Sequence, residues 1–391
     1  MWVRTLDVCV VLVGAMGCVG PRNYPPPDVP GHANLVPAEA TTPPAQVRTA
    51  LVLSGGGAHG AFAAGVLTGW SEAGTRPEFD VVTGVSGGAI IAVLAFLGPA
   101  YDDRLAVLYT TTGHHDIFRF RPLAGILWAD SLADPARLRK RIAAGLTPEF
   151  VDLIAAEHRK GRRLYVATTD LDSKRPAVWD LGAIAASEAP SRRTLLCDVI
   201  LASCSVPAVF PPVPIDVEID GRWHTELHVD GAVSADVFLP PAVLESAFRG
   251  VTGPATGRTE VYVVVSGRLA PARNPVERRL IPVFGEAVTG ILASRRSDDL
   301  FKLYLQCSDV GAGYHVAAFS EGLSDEGHAL AFDVAKMRRL YAGGREVGRR
   351  GQWTEVPPGI SPDEQPIPRG GLRLKTVVRA PSGQLNATTG R

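Results

Sequence analysis

Short apolar runs that stop at glycine-rich turns and lead into segments of helical period constrain this chain more than any other feature. Ala50-Leu51-Val52-Leu53 ends at Ser54 and three glycines, and Phe79-Asp80-Val81-Val82-Thr83 ends at Gly84. Brief runs of this kind, bounded by turn residues, are what strands buried on both faces look like. After the first, Ala61, Phe62, Gly65, Val66 and Trp70 recur at helical spacing. After the second, Ala89 to Leu97 is apolar almost throughout, as in a helix buried on most of its surface. Leu164 to Thr169 and Glu260 to Val265 read as further strands, and Glu226 to Val229 as a strand or edge segment ahead of Asp230. Cys197 to Ser203 reads as a short helix, with longer helices at about 283–305 and 331–344. This alternation predicts βαβ units and an α/β fold with a mainly parallel sheet. Residues 101–160 read as helical and carry no legible chemistry.

Composition narrows the function classes. With 391 residues the chain holds one large domain or two ordinary ones, and 46% apolar against 20% charged residues describes a folded globular protein. Forty basic and forty acidic side chains cancel, so no global field draws the protein to nucleic acid or an anionic bilayer. Of five cysteines, Cys9 and Cys18 sit in the leader, which leaves Cys197, Cys204 and Cys307. Such a sparse, odd set is no disulfide framework, and without a CxxC pair or His cluster no metal or other cofactor is expected.

The two ends differ from the middle. Arg4 precedes an apolar run from Val8 to Val19, too short to span a bilayer but the length of a signal-peptide core, so residues 1–17 read as an export signal. Ala15-Met16-Gly17-Cys18 is similar to a bacterial lipobox, which makes Cys18 a candidate lipidation site and implies an exported, membrane-anchored lipoprotein facing the periplasm or cell surface. A plain cleaved signal, a mis-assigned start or an uncleaved anchor also fits these residues. Residues 18–46, rich in proline and small polar side chains, read as a tether. A globular domain is expected over 47–350, with 351–391 a flexible tail or an extension that packs on an edge.

Gly84-Val85-Ser86-Gly87-Gly88 lies where a strand should turn into a helix. That context gives a G-x-S-x-G sequence meaning: a nucleophilic serine is lifted on a strained turn, and the flanking Gly84 and Gly88 avoid collisions with neighbouring backbone. Gly55-Gly56-Gly57-Ala58-His59-Gly60 follows the first strand and opens a helix. Its bare N–H groups can bind an anion, either a nucleotide phosphate or the oxyanion of acyl transfer. It is neither G-x-G-x-x-G nor a P-loop, which favours the oxyanion. Asp230-Gly231-Ala232 supplies a carboxylate at the end of an apolar stretch. His224 and His228 precede it, and His315 and His328 follow without a context that marks them, so a Ser–His–Asp triad is not indicated.

In this order, the glycine loop, the elbow and the Asp-Gly-Ala resemble the patatin-like phospholipases, over about residues 48–345. Ser-Cys-Ser-Val-Pro-Ala-Val-Phe-Pro-Pro-Val at 203–213 and Thr168-Thr169-Asp170-Leu171-Asp172 are similar to further family blocks. The resemblance implies a three-layer α/β/α sandwich, Ser86 as nucleophile, Asp230 as general base, and Gly55, Gly56 and Gly57 N–H groups as oxyanion donors. It implies a phospholipid or other lipid ester substrate cleaved through an acyl-serine. A general esterase or acyltransferase, or a non-catalytic lipid-binding lipoprotein, are the alternatives. The sequence departs from the family at His59, where Arg or Lys is common, and at Ala235-Asp236-Val237, where Asn-Pro is common. His59 is then either a partly charged phosphate contact or a residue of the helix start.

Overall fold

The computed structural model describes residues 47–355 apart from 122–130, 220, 244–257, 270–275, 277, 279, 320–322 and 324–328. The segments expected to be signal and tether, with Cys18, and also His328 and residues 356–391, lie outside the described residues. Ten strands are described: β1 (Thr49–Leu53), β2 (Val81–Val85), β3 (Arg119–Phe120), β4 (Ala133–Asp134), β5 (Arg163–Asp170), β6 (Arg175–Asp180), β7 (Val213–Ile219), β8 (Arg222–Asp230), β9 (Glu260–Val264) and β10 (Gly313–Ala317). The helices are α1 (Gly60–Glu72), α2 (Gly87–Leu97), α3 (Asp102–Thr111), α4 (His114–Ile117), α5 (Ala136–Gly145), α6 (Pro148–Arg159), α7 (Leu181–Ala186), α8 (Arg192–Ser203), α9 (Leu280–Asp309) and α10 (Val334–Arg350).

The main sheet runs β10-β9-β1-β2-β5-β8-β7, with β6 also on β5. From β10 to β5 every pairing is parallel, whereas β6, β7 and β8 join antiparallel. Alternate residues of the central strands feed two cores: Leu51, Leu53 and Val82 face one, Ala50, Val52 and Val81 the other. The first core is closed by α1, α2, α5, α6, α8 and α10, the second by α9 and residues 237–243. This is the three-layer α/β/α arrangement, with the sheet between two helical layers.

One detail of the sheet places the chemistry. Strand β2 pairs with β5 from Arg163 to Ala167, and β8 pairs with β5 from Thr168 to Asp170. Because β6 already occupies one edge of β5 from Tyr165 to Asp170, β2 and β8 must share the other edge, end to end. The C-terminal end of β2 therefore meets the C-terminal end of β8. Gly231 makes that junction possible, since a Cβ there would stand 2.4 Å from Ala167 O.

The helices of the first layer are drawn unusually close. Gly65 and Gly69 on α1 face α10, and Gly344 and Gly348 on α10 face α1. A Cβ on Gly348 would lie 2.1 Å from Val66 O, and one on Gly69 would lie 1.9 Å from Arg345 O. Backbone lies against backbone at this seam, which only glycine permits.

Candidate active site

Ser86 occupies the turn between β2 and α2 with φ 54° and ψ −127°, a positive-φ conformation that a side chain other than glycine's rarely adopts. The glycines around it are sterically required. A Cβ on Gly84 would lie 2.5 Å from Gly88 O, and one on Gly88 would lie 2.5 Å from Ser54 O. The elbow is braced from outside the motif. Ser86 N–H donates to Ser203 Oγ at 2.9 Å, and that hydroxyl donates to Ala167 O at 2.8 Å, so the end of α8 ties the elbow to β5. Cys204 Sγ donates to Ser86 O at 3.3 Å, and Tyr109 Oη on α3 donates to Gly87 O at 3.1 Å. The positive end of the α2 dipole points at Ser86.

Asp230 ends β8 opposite Thr168, one step beyond the register at which Val85 faces Ala167. Its carboxylate, 3% exposed, accepts through Oδ1 from Ala232 N–H at 2.9 Å, and the Ser86 hydroxyl lies near enough to favour its charged form. Burial pushes its pKa up to about 7, against the pull of those two donors and with help from the nearby Asp236 charge. A raised pKa alone does not mark a site. Buried Asp180 is also pushed up to about 7, yet it caps α7 through Ala183 N–H and lies away from the cavity.

Ser86, Asp230 and the glycine loop line one cavity of about 1650 Å³. Its walls are mainly apolar and come largely from the segment that the sequence left unread: Val107, Leu108, Leu138, Ile142 and Phe150, joined by Phe210 and Phe319. His59 is the cavity's histidine; it sits in the 3-10 turn Gly57–His59 at the start of α1, edge-on to Phe319 with ring centroids 5.3 Å apart. His228 is buried between Thr168 Oγ1 at 3.0 Å and Glu226 Oε2 at 3.1 Å, and His315 pairs with Glu260 at the far edge of the sheet. Neither stands between Ser86 and Asp230. Among the described residues no cluster of His, Cys, Asp or Glu is arranged to hold a metal, and no helix is long and apolar enough to cross a membrane.

The glycine loop departs from expectation at its first member. Gly55 N–H is already engaged, donating to Asp236 Oδ1 at 2.8 Å, so it is not open to an oxyanion. Gly56 and Gly57 N–H have no acceptor among the described residues, and both line the cavity beside Ser86. The reason is tertiary: residues 235–243 fold across the end of β1 and bring Asp236 onto the loop. Asp236, its partner Arg296, Ser203 and Tyr109 are the site residues that sequence reasoning missed. Asp236 had a signal as a departure from the family pattern, and Ser203 opens the 203–213 block that resembles the family; Arg296 and Tyr109 had none.

A family model described as patatin-like phospholipase matches residues 51–243, which contain Gly55–Gly57, Ser86 and Asp230. Among solved structures, VipD from Legionella pneumophila is similar at 13% identity and TM-score 0.32, covering 78% of this chain and 66% of its own. The type III effector protein ExoU is similar at 16% identity and TM-score 0.21, covering 79% of this chain and 53% of its own. The chain thus spans about two thirds of the first and about half of the second, and at these scores neither carries an argument about activity. No curated protein matches the chain. With this match and the mainly parallel α/β/α sheet around it, the chain carries a patatin-like phospholipase domain over residues 51–243, which indicates a lipid-hydrolysing enzyme.

Proposed function

We propose that the protein is a lipid acyl hydrolase of phospholipase A or lysophospholipase type that works through a Ser86–Asp230 dyad. The observation that carries this reading is a buried carboxylate beside the Ser86 hydroxyl, both lining one apolar cavity. Asp230 takes the serine proton as Ser86 Oγ attacks the ester carbonyl carbon, and the negative charge on the carbonyl oxygen is met by Gly56 and Gly57 N–H. Collapse breaks the ester bond, Asp230 returns the proton to the departing alcohol, and the acyl group stays on Ser86. Water then attacks the acyl carbon with Asp230 again as base, releasing the fatty acid. A carboxylate with a pKa near 7 is a stronger base than an ordinary aspartate, which suits this task.

The size and lining of the cavity support a lipid substrate. Its volume, about 1650 Å³, exceeds the roughly 300–1,000 Å³ of ordinary small-molecule pockets and suits long acyl chains. Membrane attachment through Cys18 belongs to the same proposal, and metabolic fatty-acid label should vanish from Cys18→Ala.

The test is fatty-acid release from phosphatidylcholine, monoacyl phospholipid and p-nitrophenyl esters. Ser86→Ala and Asp230→Asn should each lower kcat by about 10³-fold or more, with circular dichroism unchanged. Equal activity in all three proteins would remove the dyad, and liposome binding without cleavage of any ester would leave a lipid-binding protein instead.

A further inference from the structure

Three residues distant in sequence meet at the start of the glycine loop. Asp236 is fully buried, and each of its carboxylate oxygens has a partner. Oδ1 accepts from Gly55 N–H at 2.8 Å, and Oδ2 pairs with Arg296 Nε of α9 at 2.5 Å. Arg296 then turns back to the same residue, its Nη2 donating to Gly55 O at 3.3 Å. One ion pair thus holds both backbone groups of Gly55. The pair is itself anchored: Asp236 N–H donates to Asp299 Oδ2 at 2.9 Å, and Arg295 Nε lies 3.3 Å from Asp299 Oδ1. Glycines make room for it. A Cβ on Gly55 would stand 2.7 Å from Asp236 Oδ1, and one on Gly267 would stand 2.4 Å from Arg296 Nη1.

Gly55 O and Gly56 N–H belong to one planar peptide unit, in which the carbonyl and the N–H point in opposite directions. A guanidinium that grips the carbonyl therefore fixes the direction of the N–H, and Gly56 N–H is one of the two donors left open toward the cavity. Ser54 Oγ also donates to Gly55 O, at 2.9 Å, so the guanidinium is the second of two donors on that carbonyl; without it one hydroxyl is left to hold the peptide plane, and neither glycine has a Cβ to resist rotation. We propose that Asp236 and Arg296 are positioning residues that lock the Gly55–Gly56 peptide plane, so that Gly56 N–H stays aimed at the acyl oxygen during attack by Ser86. An aspartate does here what an asparagine cannot, since two N–H donors converge on its two oxygens. This inference rests on the acyl-hydrolase reading of the site.

The pair also sets the charge around the base. Facing Asp230 are the Ser86 hydroxyl, Asp236, the Cys204 thiol at the end of α8 and, through Asp236, Arg296. On its own strand His228 is held by Thr168 and Glu226. Asp236 raises the Asp230 pKa, and Arg296 offsets that charge. Removing one or the other should move the base in opposite directions.

The experiment measures kcat and KM for a monomeric ester, p-nitrophenyl butyrate, from pH 5 to 9, together with amide hydrogen exchange over residues 54–58, in the full chain. Arg296→Gln should lower kcat by about 10²-fold, the scale of one oxyanion donor. KM should stay within about threefold, and the acidic limb of the profile should move to higher pH. Asp236→Asn should also lower kcat but move that limb to lower pH. Arg296→Lys keeps the charge and loses the fork, so kcat should stay low with the limb unmoved. Asp298→Asn, an exposed neighbour on α9, should match wild type in every readout. Exchange over 54–58 should quicken in Asp236→Asn and Arg296→Gln. Limbs that move together, kcat within twofold of wild type, or unchanged exchange would each overturn the proposal. If wild type cleaves no ester, the acyl-hydrolase reading fails by itself, and the exchange data alone decide whether the pair holds the loop.

Discussion

In the proposed dyad, Asp230 sets function against stability. Its folded pKa of about 7 lies above the ~3.9 of an unfolded aspartate, so the native state binds the proton more tightly. Stability should therefore fall as pH rises from about 4 to about 7 and stay low above that, the reverse of a salt-bridged aspartate. Asp230→Asn removes the charge while leaving an oxygen to accept from Ala232 N–H. It should raise the unfolding free energy at pH 8 by up to the order of 4 kcal/mol, the upper bound set by a gap of about three pKa units. At pH 4 the same substitution should change little, because the folded Asp230 is then protonated and the unfolded one about half protonated. Chemical unfolding at the two pH values checks the sign, and a loss of stability at pH 8 would contradict it. The residue itself was legible from its Asp-Gly-Ala setting, but its energetics were not, because they come from burial in the folded molecule.

At the scale of elements, the elbow is an assembly of backbones brought within contact distance. Gly88 packs the first turn of α2 on the end of β1, where an added Cβ would lie 2.5 Å from Ser54 O and 2.7 Å from Leu53 O. Alanine favours a helix over glycine by about 1 kcal/mol, yet overpacking costs about 1–3 kcal/mol, so collision should win. Gly88→Ala should lower the thermal midpoint. It should also cut activity, because the shifted helix carries Ser86 away from Asp230; activity equal to wild type would show that α2 adjusts freely. The strands β1, β2, β5, β8 and β9 were legible as apolar runs, with ends displaced by a residue or two, except that β8 begins four residues before its expected start. Strands β6, β7 and β10 were not. Strand β7 alternates cleanly between buried and exposed residues, but it follows Pro211 and Pro212 and begins Val213-Pro214, which reads as loop until the pairing with β8 is seen. The sheet is mainly parallel as expected, with three antiparallel members at one side.

The whole molecule is larger than the family match. That match ends at residue 243, while β9 and β10 extend the same sheet, α9 closes its second face, and α10 lies along α1. The seam between α1 and α10 is a stability determinant remote from the chemistry. Gly348→Ala would force a Cβ to within 2.1 Å of Val66 O, so urea unfolding should show a loss of about 1–3 kcal/mol despite alanine's better helix propensity. Activity per folded molecule should be unchanged. An increase in stability would mean that the two helices separate at little cost. Just past Gly351, Thr354 bridges to Val316 of β10, and Trp353 packs on Trp70 and Tyr262.

What the sequence determined by itself is local. Apolar runs ended by glycines fix a strand, a strained turn and a helix within a few residues, and these give the elbow with Ser86 and the bare glycine loop, because steric limits on φ act between neighbours. Tertiary structure decided the rest. It set β2 and β8 end to end on one edge of β5 so that Asp230 meets Ser86, and it engaged Gly55 N–H with Asp236, which leaves Gly56 and Gly57 open. It also drew a cavity from residues 101–160, whose helical pattern records only which side faces the core and not what lies opposite. Contacts between residues far apart in the chain depend on sheet register and helix packing, and no spacing along one strand of sequence encodes them.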